Sequence, residues 1–245
     1  MKKKLNIKDA FALAVQNHQK NNLKIAVKLY WEILKVFPNN TLALNSLCSL
    51  FSNSELKHIT QIDRNTVKYL LLMLFRRNDV DHKDIFLTAR FLLFSEKNNI
   101  EKKINEIIYS DYPLLKNNIV LSLLKEELFQ LMLQKTLIAD HLLEKLLTKI
   151  RKEILFDFVN LKHNLLEEIF EFVVSFSEQC FLNEYIYPEE KKEVKLLNKL
   201  KKSLKTSEKI NELKIAILGC YLPLSLIKGT VTNLKKYKSK NILFN

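Results

Sequence analysis

A chain of 245 residues can bury a substantial core, and 47% hydrophobic with 27% charged residues excludes an intrinsically disordered one. Two glycines and four prolines argue against sandwiches, barrels and doubly wound sheets, which spend glycine on tight turns, and point to an all-α fold of antiparallel helix hairpins. The net charge of +13 is lopsided: residues 191–245 hold fourteen lysines against Glu193, Glu208 and Glu212, a net of +11.

Met1-Lys2-Lys3-Lys4 resembles the charged start of a signal peptide, but Asp9, Gln16, Asn17 and His18 interrupt any apolar run behind it, so a cytoplasmic location is expected. Residues 7–40 fit a tetratricopeptide repeat. Ala14 and Ala26 are the small residues that let two antiparallel helices approach, Ala10, Leu13, Tyr30 and Ile33 are apolar, and Pro38 ends the second helix. Asn17 stands where an aromatic is expected. In such a repeat Phe11, Val15 and His18 face the concave groove, and without a Lys/Asn carboxylate clamp a bound peptide would be held by apolar contacts.

Residues 41–52 resemble the first helix of a second repeat whose partner does not follow the pattern. One and a half repeats leave an apolar face open, so the rest of the chain or another protein must cover it. The polar stretch after Ser52 predicts a boundary, giving a repeat region at 1–52, a helical domain at 53–229 and a basic tail at 230–245. Apolar spacing predicts helices near 65–77, 82–96, 99–109, 117–134, 138–157, 162–180, 189–205 and 208–228, forming an irregular α-solenoid or a helical bundle. Asp81 and Asp140 are expected N-caps. The longest uncharged stretch, Ile215 to Ile227, is thirteen residues, well short of the ~20 a membrane-spanning helix needs.

Chemistry is largely absent from the pattern. Phosphate cradles need glycine where backbone N–H groups meet the ligand, and Gly219 and Gly229 form neither a Walker loop nor a GxGxxG turn. Glu55 and His58 make a single Glu-x-x-His, whereas a helical di-iron site needs two with two further glutamates. Asp79, Asp81, His82 and Asp84 lack the glycine and closing glutamate of an EF-hand and read as helix capping. Cys48, Cys180 and Cys220, an odd and widely spaced set, read as buried thiols. No catalytic residue, metal site or cofactor is therefore expected in this chain.

One segment, Phe176 to Pro188, sets polar groups among aromatics. Gln179 and Asn183 are one helical turn apart, as are Cys180 and Glu184, beside Phe181, Tyr185 and Tyr187. Such a pattern marks either an internal hydrogen-bond network or a contact surface. On the second reading Gln179, Asn183, Glu184 and Tyr185 join Phe11, Val15 and His18 as candidate interaction residues.

The run from Gln179 to Tyr187 with Glu189 and Glu190, the preceding Leu146 to Leu155 and the following Ala216 to Leu224 together resemble the helical region of bacterial class I, adenosylmethionine-dependent methyltransferases that carry tetratricopeptide repeats. The resemblance covers most of 7–228. In that family an adenosylmethionine-binding α/β domain follows and carries catalysis; here the sequence runs to Asn245 without one, and no catalytic residue carries over. The resemblance implies a truncated or split gene product, or a helical adaptor for a protein or peptide partner, a separate methyltransferase domain included. The alternative is binding of nucleic acid or an anionic surface through the lysine-rich last quarter, although five arginines among forty basic residues speak against base recognition.

Overall fold

The computed structural model describes residues 6–53, 59, 62–94, 99–161, 163–206 and 211–227. Among them are thirteen α-helices, two 3-10 turns and no strand, so the all-α expectation holds. The Glu55/His58 pair and the basic tail at 230–245 lie outside the described residues. The chain divides into two compact units, Met1–Lys97 and Asn98–Asn245. The division falls well beyond the boundary expected at residue 52, because the helices after it pack back onto those before it.

The first unit begins with a hairpin of α1 (Ile7–Gln19) and α2 (Leu23–Val36). Asn6 caps α1, its side-chain oxygen accepting from the Asp9 amide at 2.8 Å. At the other end Asn21 takes a left-handed conformation (φ 59°), so that the Asn22 amide reaches the Asn17 carbonyl at 2.8 Å and the Asn21 amide the His18 carbonyl at 3.0 Å. This is a Schellman closure made with asparagine where glycine is usual. Ala14, Ala26 and Tyr30 are fully buried, which is what close approach of the two helices requires.

α3 (Thr41–Asn53) packs on α2 and on α5 (His82–Phe94), and α5 also packs on α4 (Arg64–Phe75). The Thr88 hydroxyl donates to the Phe51 carbonyl at 2.6 Å inside this core. The apolar face of α3 that the repeat pattern left uncovered is thus taken by a helix that lies beyond α4 in sequence. Asp63 caps α4, and Asp81 accepts from the Lys83 amide at 3.0 Å at the start of α5, as expected of it. Asp79 is held by Arg77 at 2.7 Å.

The second unit contains α6 (Ile100–Ile108), α7 (Asn118–Leu124), α8 (Glu127–Lys135), α9 (His141–Val159), α10 (His163–Glu168), α11 (Phe170–Leu182), α12 (Lys191–Thr206) and α13 (Glu212–Gly219). Its centre is α11, packed on α8 and α13, with every residue from Phe172 to Phe176 buried. Five consecutive buried residues cover every side of a helix, so this stretch lies inside the core. The long α9 starts at Asp140, whose side chain accepts from the Leu143 amide at 2.9 Å, and contacts α6, α10, α12 and α13. Its Glu153 carboxylate accepts from the Leu114 and Leu115 amides at 2.9 and 3.0 Å, fixing the 3-10 turn Leu114–Lys116.

Candidate functional site

The second unit buries an ionic cluster that periodicity alone conceals. α9 presents Leu147, Ile150, Ile154, Leu155 and Phe158 to the core, and Arg151 lies on that same stripe. Arg151 is 1% exposed and Glu193, from the first turn of α12, is 2% exposed, with the closest charged atoms 3.8 Å apart. The guanidinium Nη2 donates to the Tyr187 and Pro188 carbonyls at 3.2 and 2.7 Å and stacks over the Tyr221 ring at 4.2 Å. Tyr221 donates its hydroxyl to Glu193 at 2.7 Å, and the other carboxylate oxygen accepts from the Glu190 amide at 2.8 Å. Burial drives the Tyr221 phenol well above its ordinary pKa, so it remains a donor at any physiological pH.

Such a cluster is expensive to desolvate, and its geometry fixes where α9, α12 and the 187–190 segment meet. The cluster supplies no nucleophile or acid–base pair open to a substrate. Among the described residues no three His, Cys, Asp or Glu side chains gather as a metal site. Cys48, Cys180 and Cys220 are all buried free thiols, as expected, and burial pushes Cys48 up to about 11.

Two grooves flank the segment between α11 and α12. One, of about 620 Å³, lies between α9 and that segment and is lined by Lys145, Lys149, Lys152, Glu144 and Tyr187 among others. Its lysines are already engaged: Lys149 donates to the Ile108 and Ser110 carbonyls at 3.1 and 2.7 Å, Lys152 pairs with Glu190, and Lys145 meets the Tyr109 hydroxyl. The other, of about 490 Å³, runs between α11 and the 3-10 turn Leu224–Leu226. Its lining includes Ser177, Glu178, Phe181, Leu182, Tyr185 and Leu224. Phe181 is 65% exposed there, and Leu226 on the same turn is 71% exposed. Gly219 lines this groove too: a Cβ at its position would come 3.0 Å from the Ser177 Cβ, so the close approach of α13 to α11 depends on it.

The residues singled out by sequence do not form one site. Phe11, Val15 and His18 lie on α1 in the first unit, all half-buried. The Phe11 ring is 6.0 Å from that of Tyr30, and the Tyr30 hydroxyl is 3.4 Å from His18 Nδ1. Burial lowers the His18 pKa. These side chains are therefore partly spent on the hairpin's own packing.

Gln179 and Asn183 belong to the second unit and are 0% and 4% exposed, so neither can meet a partner. In the orientation its neighbours require, the Gln179 amide nitrogen donates to the Thr136 and Leu133 carbonyls at 2.7 and 2.9 Å. The Asn183 side-chain oxygen accepts from the Tyr185 amide at 3.2 Å, steadying two successive left-handed residues, Glu184 (φ 56°) and Tyr185 (φ 61°). For these two amides the internal network is the correct reading, because each is enclosed by the backbone it serves. Glu184 is exposed, Tyr185 is half-buried on the groove, and burial pushes the Tyr185 phenol up to about 12.

Sequence reasoning missed Arg151, Glu193 and Tyr221 and the exposure of Phe181. The signal for Arg151 was present, an arginine on an apolar stripe at helical spacing. Nothing comparable marks Glu193 or Tyr221, which converge only through packing. No helix among the described residues is long and apolar enough to cross a membrane. Comparison with known protein families, characterised proteins and solved structures finds no match to this chain.

Proposed function

We propose that this chain is a cytoplasmic helical scaffold that docks an amphipathic segment of a protein partner on the groove beside α11. The observation that carries the reading is the concentration of exposed apolar side chains there, with Phe181 65% exposed and Leu182 and Leu224 each about two-fifths exposed around a concave surface. Solvent-facing aromatic and aliphatic residues grouped at a groove are the usual form of a protein contact. Glu178 stands in the same lining, where its carboxylate can accept from a cationic residue on the partner. The partner segment is accordingly apolar with a lysine or arginine among its anchors.

The resemblance to the helical region of repeat-carrying methyltransferases supports a catalytic domain on a separate chain as that partner, with cofactor and chemistry residing there. Within the first unit, α1 and α2 serve as a tetratricopeptide-like hairpin; the burial of Ala14, Ala26 and Tyr30 supports this. The test is selection from a displayed peptide library against the full chain, followed by binding to Phe181→Glu. Enriched peptides should carry two or more apolar anchors with a basic residue and lose at least tenfold in affinity on the variant. Peptides that bind Phe181→Glu unchanged, or no enrichment, would overturn the reading.

A further inference from the structure

Helix α12 has two unlike sides. Leu197, Leu200 and Leu204 are buried at 4–7% exposure, and Glu193, the sole acidic residue within the helix, is turned inward onto Tyr221 and the Glu190 amide. Outward, Lys191, Lys195, Lys199 and Lys202 recur at i, i+4, i+8 and i+11 with Lys192 beside them, and all five are exposed. No ion pair or hydrogen bond engages these side chains among the described residues. Of the two glutamates just before the helix, Glu190 is taken by Lys152, which leaves the exposed Glu189 next to Lys191. From Lys195 onward the outer face is therefore a single-sign stripe.

We propose that this outer face of α12 binds the phosphate backbone of nucleic acid without regard to sequence. Eleven residues of helix rise about 16 Å, roughly the span of five phosphates along one strand of a duplex. Lysine supplies point charges of the right sign, and none of the five arginines, the residues suited to bidentate base contacts, lies on this helix. A lipid surface fits less well, because an interfacial helix buries an apolar face in the bilayer and the apolar face of α12 already faces the core, with only Val194 left 42% exposed. This surface is separate from the groove at Phe181, and the two proposals stand or fall independently.

The experiment measures fluorescence anisotropy of a labelled mixed-sequence duplex with the full chain between 50 and 200 mM salt. Five neutralised phosphates give a log–log slope contribution of about −4.5, a weakening of a few hundredfold across that range. The Lys195→Gln/Lys199→Gln/Lys202→Gln variant should flatten the wild-type slope by about 2.7, while the corresponding triple Arg variant should keep it. Unchanged far-UV circular dichroism shows that the exposed substitutions leave the fold intact. An unaltered slope in the Gln variant, absence of duplex binding at 50 mM salt, or binding to phosphatidylserine vesicles without binding to duplex would overturn the proposal.

Discussion

Replacing Glu193 by glutamine isolates the buried charge pair. The side chain keeps its shape and one acceptor oxygen but loses its charge, leaving the Arg151 guanidinium, 1% exposed, without a counter-ion. At an effective dielectric of about 20, unit charges 3.8 Å apart attract by about 4 kcal/mol. That agrees with the roughly 3–5 kcal/mol typical of removing one partner from a buried pair. Glutamine must also choose between the Tyr221 hydroxyl and the Glu190 amide, which adds about 1 kcal/mol for a lost hydrogen bond. The loss should appear in the unfolding transition of the second unit, as a fall in melting temperature on the order of 10 °C. The assay is urea and thermal unfolding of Glu193→Gln, Arg151→Met and the double variant. The singles should be non-additive, with a coupling of at least about 2 kcal/mol, because the double variant leaves no unpaired charge. A Glu193→Gln cost below about 1 kcal/mol, or simple additivity, would refute the reasoning.

Three further outcomes follow from the geometry. Leu161 closes α9 in a left-handed conformation (φ 61°) with its side chain 79% exposed, so Leu161→Gly should stabilise the second unit by about 1 kcal/mol, read as a rise in urea midpoint. Gly219→Ala should destabilise by about 1–2 kcal/mol despite alanine's helix preference, since the new methyl presses on Ser177, and thermal unfolding will show it. His18 is lowered by burial, so the unfolded chain takes up its proton first as pH falls. Its contribution is complete above pH ~6.5 and is lost as pH drops through the folded value; urea titration of His18→Gln should show a shallower acid dependence than wild type.

Much of the architecture was legible because helices announce themselves by spacing. The expected 65–77 and 82–96 correspond to α4 and α5, and Asp140 caps α9 as its position suggested. The expected single helix at 117–134 is two, since the chain breaks at Lys125 and Glu126, where Glu126 turns its side chain back to the Leu128 amide. The apolar stripe runs through that break without interruption, so periodicity could not register it. The same holds at Ile169, between α10 and α11. Gln179 and Asn183 looked the same from sequence whether buried or exposed. Their fate depended on free carbonyls at the end of α8 and on the left-handed turn they support, both facts of three dimensions.

The burial of α11 on nearly every side has a consequence for how the second unit opens. Residues Phe172 to Phe176, Gln179 and Cys180 have no face through which solvent reaches the backbone without displacing α8 or α13. Their amides should therefore exchange hydrogen only when the whole unit unfolds, making this helix the last element to come apart. Phe181, at its solvent end, is the external handle of that slowest-opening element. A ligand seated on Phe181 would by mass action lengthen the lifetime of the folded core as well as occupy its surface.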